Sequence, residues 1–159
     1  MILMTYHREK SIAYAHQWAF GRNPAYYNFD LIGGDCTNFI SQCLYAGCGV
    51  MNYTRDTGWY YNSSYNRAAA WSGVAFLHRF LTRNQGAGPY ATELPLAYAQ
   101  PGDIIQLSFD SRVFSHSLFV VNADPGILIA THTNDADNRP LDSYQYRLAR
   151  LIHIEGVRN

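Results

Sequence analysis

Three cysteines and six histidines are the residues of this chain whose types could support nucleophilic chemistry. Cysteine attacks as a thiolate, and a nearby histidine can remove the thiol proton. The cysteines are Cys36, Cys43 and Cys48, and their odd number argues against a complete disulfide framework. No Cys and His residues have zinc-ligand spacing, so we predict neither a metal nor another cofactor. Position along the chain must therefore distinguish a catalytic cysteine from structural ones.

Cys36 differs from the other cysteines because it opens a predicted helix. The apolar spacing predicts a helix from Asp35 to Ala46, with Asp35 at the N-cap. On the first turn, the helix dipole favours a thiolate, and the free backbone N–H of Cys36 could bind an oxyanion. Cys43 lies on the apolar face of this helix and Cys48 beyond its predicted end, so we interpret both as structural. We therefore predict that Cys36 is the nucleophile.

His116 is the predicted general base. It begins a predicted strand, His116 to Asn122, and should project from one end of a sheet. His132 ends the next predicted strand, so both histidines lie at the same end if the strands form a hairpin. His132 could then orient His116 by a hydrogen bond, and Asn134, with the same strand parity, is the alternative. The other histidines are interpreted as surface or core residues: His7, His16, His78 and His153.

The elements that must position these residues fall into two halves. The first half contains the predicted helices Tyr6 to Phe20, Asp35 to Ala46 and Gly73 to Leu81. The second half contains the predicted strands Asp103 to Phe109, His116 to Asn122, Ile127 to His132 and Tyr146 to Glu155. We interpret Met51 to Trp71 as a long loop and Asn84 to Pro89 as a turn. This order predicts one α+β domain over residues 1–159, with helices packed on an antiparallel sheet.

Composition excludes several classes of function. Twelve basic and 12 acidic residues give zero formal net charge, and without a basic stripe we do not predict nucleic-acid binding. The apolar runs are too short to span a membrane. No charged leader followed by an apolar stretch is visible near Met1. We therefore expect either a cytoplasmic protein or a domain excised from an exported parent.

Several ordered segments resemble the bacterial putative amidase domain family, which is related to the NlpC-type and CHAP cell-wall peptidases. The nucleophile motif runs from Asp35-Cys36-Thr37-Asn38 to Leu44. The other similar segments are Asn23 to Tyr27, Trp71 to Val74, Gln100 to Gln106, His116 to Leu118, Thr131 to Leu141 and Ile152 to Gly156. Together they extend over almost the whole chain.

This resemblance implies a papain-like core in which the helix carrying Cys36 packs on the sheet carrying His116. It implies hydrolysis of amide bonds in peptidoglycan peptides, in an extracellular or cell-wall setting. NlpC-like relatives often have a histidine at the position of His132, whereas other papain-like enzymes use asparagine, which keeps Asn134 open. A catalytically silent cell-wall or spore-surface binding module and a papain-fold acyltransferase are the alternatives. The oligomeric state stays open.

Aromatic residues form 15% of the chain, and Tyr and Trp side chains suit shallow grooves for sugars or peptides. We predict that Trp59, Tyr60 and Trp71 line the substrate groove. Core packing is the alternative for all three.

Overall fold

The chain contains four α-helices, two short 3₁₀ helices (Leu96–Tyr98 and Leu141–Ser143) and nine strands, and this computed structural model describes all 159 residues. The helices are α1 (Arg8–Trp18), α2 (Cys36–Cys48), α3 (Ala69–Ser72) and α4 (Val74–Arg83). The strands are β1 (Leu3–Met4), β2 (Tyr61–Ser63), β3 (Asn66–Arg67), β4 (Gly88–Leu94), β5 (Ile104–Ser108), β6 (Phe114–Asn122), β7 (Leu128–Thr131), β8 (Ala136–Pro140) and β9 (Leu148–Arg158). None of the helices has both the length and the apolar character needed to cross a membrane.

Seven of the strands form one antiparallel sheet. Its order is β1-β9-β5-β6-β7-β8, and β4 also pairs with β9, while β2 and β3 form a separate hairpin. Strand β6, which carries His116, pairs with β5 and with β7 and so lies inside the sheet. The α+β class and the antiparallel sheet are confirmed.

The two faces of the sheet have different covers. Phe119 and Ala130 belong to the main core, which the helices cover. Leu118 and Val120 point to the opposite face, into a smaller cluster that loop residues such as Tyr144 cover. Because side chains alternate along a strand, neighbouring residues of β6 serve different layers of the molecule.

Helix α2 is buried along most of its length and packs closely on α1. A Cβ atom at Gly47 would lie 2.1 Å from Ser11 Oγ, so only glycine allows the two helices to approach this far. The predicted end of this helix at Ala46 is wrong. The helix continues to Cys48 and ends at Gly49, whose φ of 67° is left-handed. Cys48 is therefore a buried helical residue.

Two segments contain more regular structure than the sequence predicted. The predicted loop from Met51 to Trp71 holds the hairpin β2–β3 and the start of α3. The predicted turn from Asn84 to Pro89 overlaps β4, which pairs with β9 alone. An edge strand tolerates proline, so Pro89 does not interrupt the pairing.

Candidate active site

Cys36 is the first residue of α2, and Asp35 occupies the N-cap position as predicted. Cys36 is 8% exposed, and its Sγ lies 3.8 Å from Thr37 Oγ1. The N–H of Phe39, which donates to the Asp35 carbonyl at 3.0 Å, makes the first hydrogen bond of the helix. The N–H of Cys36 donates to no other part of the protein. It is therefore free to bind an oxygen atom next to the thiol.

The start of α2 lies against strand β6. Thr37 Oγ1 is 2.9 Å from Ser117 Oγ, and Ser117 directly follows His116. The backbone N–H of Ser117 also lies close enough to the Cys36 thiol to favour its thiolate form. Since this amide nitrogen is covalently bonded to the carbonyl carbon of His116, the thiol and the His116 backbone are close neighbours.

The side chain of His116 points away from α2. Ser117 faces the helix, so strand alternation turns His116 towards the opposite face of the sheet. There its ring centroid lies 6.0 Å from that of Tyr144. No hydrogen bond joins the His116 ring to Cys36 or to His132. The Cys36 thiol thus lies near the backbone that joins His116 to Ser117, on the side of β6 opposite to the His116 side chain.

Burial controls the charge of both groups. Burial raises the pKa of the Cys36 thiol, and hydrogen bonds from Ser117 and Thr37 oppose this only in part. Burial also lowers the pKa of His116 to about 4, and the charge of Arg139 adds to the shift. Both groups are consequently neutral near pH 7. Burial therefore opposes the lowering of the Cys36 pKa that its position on the first helical turn predicts.

His132 has a different set of partners from those predicted. Its Nδ1 lies 2.6 Å from Asp35 Oδ2, and its Nε2 lies 2.8 Å from the carbonyl oxygen of Trp18. Its ring also stacks on Phe39 at 4.0 Å between centroids. Both nitrogens face oxygen acceptors, so the geometry suits an imidazolium that donates to each. His132 therefore has no free nitrogen to orient His116, and the predicted contact is absent because the two rings lie on opposite faces of the sheet.

Asp35 connects three segments directly before the nucleophile. Its Oδ1 accepts from the N–H of Phe29 at 2.8 Å and from Asn38 Nδ2 at 2.9 Å, while Oδ2 faces His132. Asp35 is 1% exposed, so these contacts replace water almost completely. Sequence reasoning assigned it only an N-cap role. An acid next to a candidate nucleophile, with a histidine predicted at the same end, was the available signal.

A pocket of about 370 Å³ opens beside His116. Its lining residues are Phe109, Ser115, His116, Thr133, Asn134, Arg139 and Tyr144. Asn134, the alternative third residue, shares this pocket and has a left-handed φ of 58°, but it makes no hydrogen bond to His116. Sequence reasoning did not single out Arg139 or Tyr144. Arg139 falls within the segment Thr131 to Leu141 that resembles the family, which was the one signal for it.

The predicted groove aromatics lie elsewhere. Trp59 and Trp71 have no exposed surface, and their ring centroids are 4.8 Å apart in the main core. Their indole N–H groups donate to Ser41 Oγ at 3.0 Å and to Asn38 Oδ1 at 2.9 Å, both on α2. Tyr60 is half-buried and packs near Tyr53, with ring centroids 5.5 Å apart. The groove prediction is wrong for both tryptophans, because their N–H groups find partners inside the core.

A second pocket of about 390 Å³ lies beside α4. It contains Arg79 and Arg83 but no cysteine or histidine, so it offers no nucleophile or base. No group of three or more His, Cys, Asp or Glu side chains could hold a metal ion. The pocket at His116, which contains the predicted base although Cys36 is not among its lining residues, is therefore the candidate active site.

Comparison with known proteins gives a family match. The family model described as a putative amidase domain matches residues 5–154. A protein of Bacillus subtilis (strain 168), the uncharacterized protein YhbB, is 36% identical over 139 residues. The aligned region covers 84% of this chain and 43% of the Bacillus protein, so the chain spans less than half of that relative. No solved structure matches.

Proposed function

Because this chain belongs to the putative amidase domain family, we propose that it hydrolyses amide bonds in cell-wall peptides, with Cys36 as nucleophile and His116 as general base. The observation that carries this proposal is the position of the Cys36 thiol on the first turn of α2. It lies beside the N–H of Ser117, the residue after His116. The choice of cell-wall peptides, and of a location at the cell wall, rests on the resemblance to NlpC-type and CHAP peptidases.

The reaction starts from a neutral pair. With a pKa of about 4, His116 is unprotonated near neutral pH and can accept a proton, while the buried thiol still carries one. Because the two side chains lie on opposite sides of the β6 backbone, proton transfer between them requires the start of β6 to shift so that the ring meets the sulfur. Because both groups begin uncharged, the proton moves to His116 as the sulfur attacks the amide carbonyl.

The remaining steps use the same two residues. The free N–H of Cys36 donates to the oxyanion that forms at the carbonyl oxygen. The His116 imidazolium then protonates the leaving amine, which leaves a thioester on Cys36. Finally, neutral His116 removes a proton from water, whose oxygen attacks the thioester; the C–S bond breaks, the acyl group leaves as a carboxylic acid, and His116 returns the proton to the Cys36 sulfur.

Alkylation with iodoacetamide over a pH series tests this pair. A proton that moves from Cys36 to His116 stays within the pair, so the fraction of reactive thiolate does not depend on pH. A coupled pair therefore gives a labelling rate that is independent of pH from about 5 to 8. The rate of a lone thiol instead rises about tenfold per pH unit below its pKa. We expect the plateau in the wild-type protein and the slope in His116→Ala, with labelling located by peptide mass analysis.

Two controls make the result decisive. Cys36→Ser keeps Cys43 and Cys48, which are both buried, and reports any labelling at those thiols. If the wild-type protein shows the same slope as His116→Ala, then His116 does not serve Cys36 and the proposal fails.

Digestion of purified peptidoglycan tests the substrate. We expect the wild-type protein to release peptides with new carboxyl and amine ends, and Cys36→Ala to release none. Peptides joined to an added amine would indicate acyl transfer. Binding to the wall without release by either protein would indicate a silent binding module and would contradict the hydrolase proposal.

A further inference from the structure

One permanently charged side chain lies in the pocket beside His116. The seven residues that line this pocket include Arg139 but no aspartate or glutamate. Ser115, Thr133 and Asn134 add hydroxyl and amide donors. The pocket therefore offers positive charge and hydrogen-bond donors without a negative group to balance them, a combination suited to an anionic ligand.

The guanidinium of Arg139 is fixed in place but keeps free donors. It lies over the ring of Tyr144, 3.7 Å from the centroid, and its Nε donates to Ser143 Oγ at 2.7 Å. Nη2 makes a single long contact of 3.4 Å with the Ser143 carbonyl, and Nη1 donates to no protein atom. A guanidinium held in this way can meet both oxygens of a carboxylate through its terminal N–H groups.

Two of the three acids within four residues of Arg139 have other partners, and the third, Asp142, is exposed and takes part in no ion pair. Asp137 is paired with a histidine of α1 at 2.8 Å. Asp135 accepts two hydrogen bonds from Arg22, at 3.0 and 2.9 Å. Between Asp137 and Arg139, Asn138 has a left-handed φ of 53°, which interrupts the alternation of β8. None of these carboxylates forms an ion pair with Arg139.

We propose that Arg139 binds a carboxylate of the peptide substrate, close to the amide that Cys36 attacks. This assignment rests on the function proposed above, because only then does the peptide occupy the pocket at His116. The carboxylate belongs either to the end of the peptide chain or to an acidic side chain beside the cleaved bond. Both present the same pair of oxygens to the guanidinium. Arg139 is thus a specificity residue that selects acidic peptides.

A pair of alkylating reagents of similar size tests the charge preference. Iodoacetate carries a carboxylate, whereas iodoacetamide is neutral, and both label the same thiol. A change in the reactivity of the Cys36 thiol affects both labelling rates equally, so it cancels in their ratio. For Arg139→Gln we expect the ratio, iodoacetate over iodoacetamide, to fall roughly fivefold at low ionic strength and pH 7.

Two variants serve as controls. Arg139→Lys keeps the charge and should keep most of the ratio, and Arg55→Gln removes an exposed arginine outside the pocket and should not change it. An unchanged ratio in Arg139→Gln, with iodoacetamide labelling intact, overturns the role of Arg139. Absence of the iodoacetamide plateau in the wild-type protein is a separate result, which counts against the Cys36–His116 pair.

Matched peptides from digested peptidoglycan then identify the source of the carboxylate. One set has its terminal carboxyl group converted to an amide, and the other has its acidic side chains converted in the same way. We expect one of these changes to slow release by the wild-type protein and to leave Arg139→Gln unaffected. If neither change slows the wild-type protein, no substrate carboxylate contributes to binding and the proposal fails.

Discussion

His116 and His132 lie at the same end of the β6–β7 hairpin but have opposite surroundings. His132 is 1% exposed, contacts Asp35 and Trp18 through its two nitrogens, and stacks on Phe39. His116 faces a pocket, and no protein group binds its ring nitrogens. A histidine whose nitrogens are both occupied can hold structure but cannot exchange a proton with a substrate. The difference supports the proposal that the region of His132 positions other groups and that His116 transfers the proton.

The largest expected effect is on the rate of amide cleavage, which should fall far more in His116→Ala than in His132→Ala. His116→Ala should lower the Cys36-dependent rate of amide cleavage by about 10²–10⁴-fold, because the general base is lost. Release of peptides from peptidoglycan, followed by mass spectrometry, measures this rate. The same loss in His132→Ala, at equal stability, would break the contrast between the two regions.

The second effect concerns stability. His132→Ala removes the closest partner of the buried Asp35 carboxylate, leaves Arg22 Nε at 3.7 Å from it, and should lower the free energy of unfolding by about 3 kcal/mol. Urea denaturation followed by circular dichroism measures this change. His116→Ala is the matched control and should cost clearly less, because no ion pair is broken. Equal losses in the two variants would contradict the positioning role of His132.

The third effect is a pH dependence. The pKa of His116 falls from 6.5 to about 4 on folding, so between these values the unfolded chain binds the proton more strongly. The free energy of unfolding should therefore decrease as the pH falls through this window, by about 3 kcal/mol in total. Urea denaturation of wild type and His116→Ala from pH 7.5 to 4 measures this part as a difference. A constant difference would show that His116 is not buried in its neutral form.

The smallest expected effect concerns Asn134, which lines the same pocket as His116. If the Asn134 amide orients the ring during turnover, its loss removes a hydrogen bond worth about 1 kcal/mol, or about fivefold in rate. Asn134→Gly is the suitable variant because glycine accepts the left-handed backbone at this position. Initial rates of peptide release measure the change. Rates equal to wild type would exclude Asn134 as the third residue.

Sequence patterns predicted the elements better than their contacts. Helical spacing placed Cys36 on a first turn, and alternating apolar residues indicated the strands on both sides of His116. Pairing of β6 with β7 brings the two histidines to the same end, as predicted. The face on which each ring lies depends on the register between Phe119 and Ala130, and a single sequence does not contain this information. For this reason the partner of His132 could not be predicted.

Burial was the other source of error. Trp59 and Trp71 fall in a segment without periodicity, which is typical of an exposed loop, yet they pack under α2. Their N–H groups need acceptors, and Ser41 and Asn38 supply these from the start of α2. Polar residues on an otherwise buried helix were the only hint in the sequence. The raised pKa of Cys36 has the same origin, because a helix position alone does not tell how much water surrounds a thiol.

The separate covers of the two sheet faces also bear on how this domain can change over evolution. Helices hold Cys36 from one side, whereas the pocket at His116 is lined from several connections, at Phe109, Thr133 and Tyr144. Loops tolerate insertions and substitutions far better than packed helices do. Under the function proposed above, selectivity for new peptides can therefore arise in these connections while Cys36 keeps its support, so one scaffold can supply a series of enzymes with different substrates.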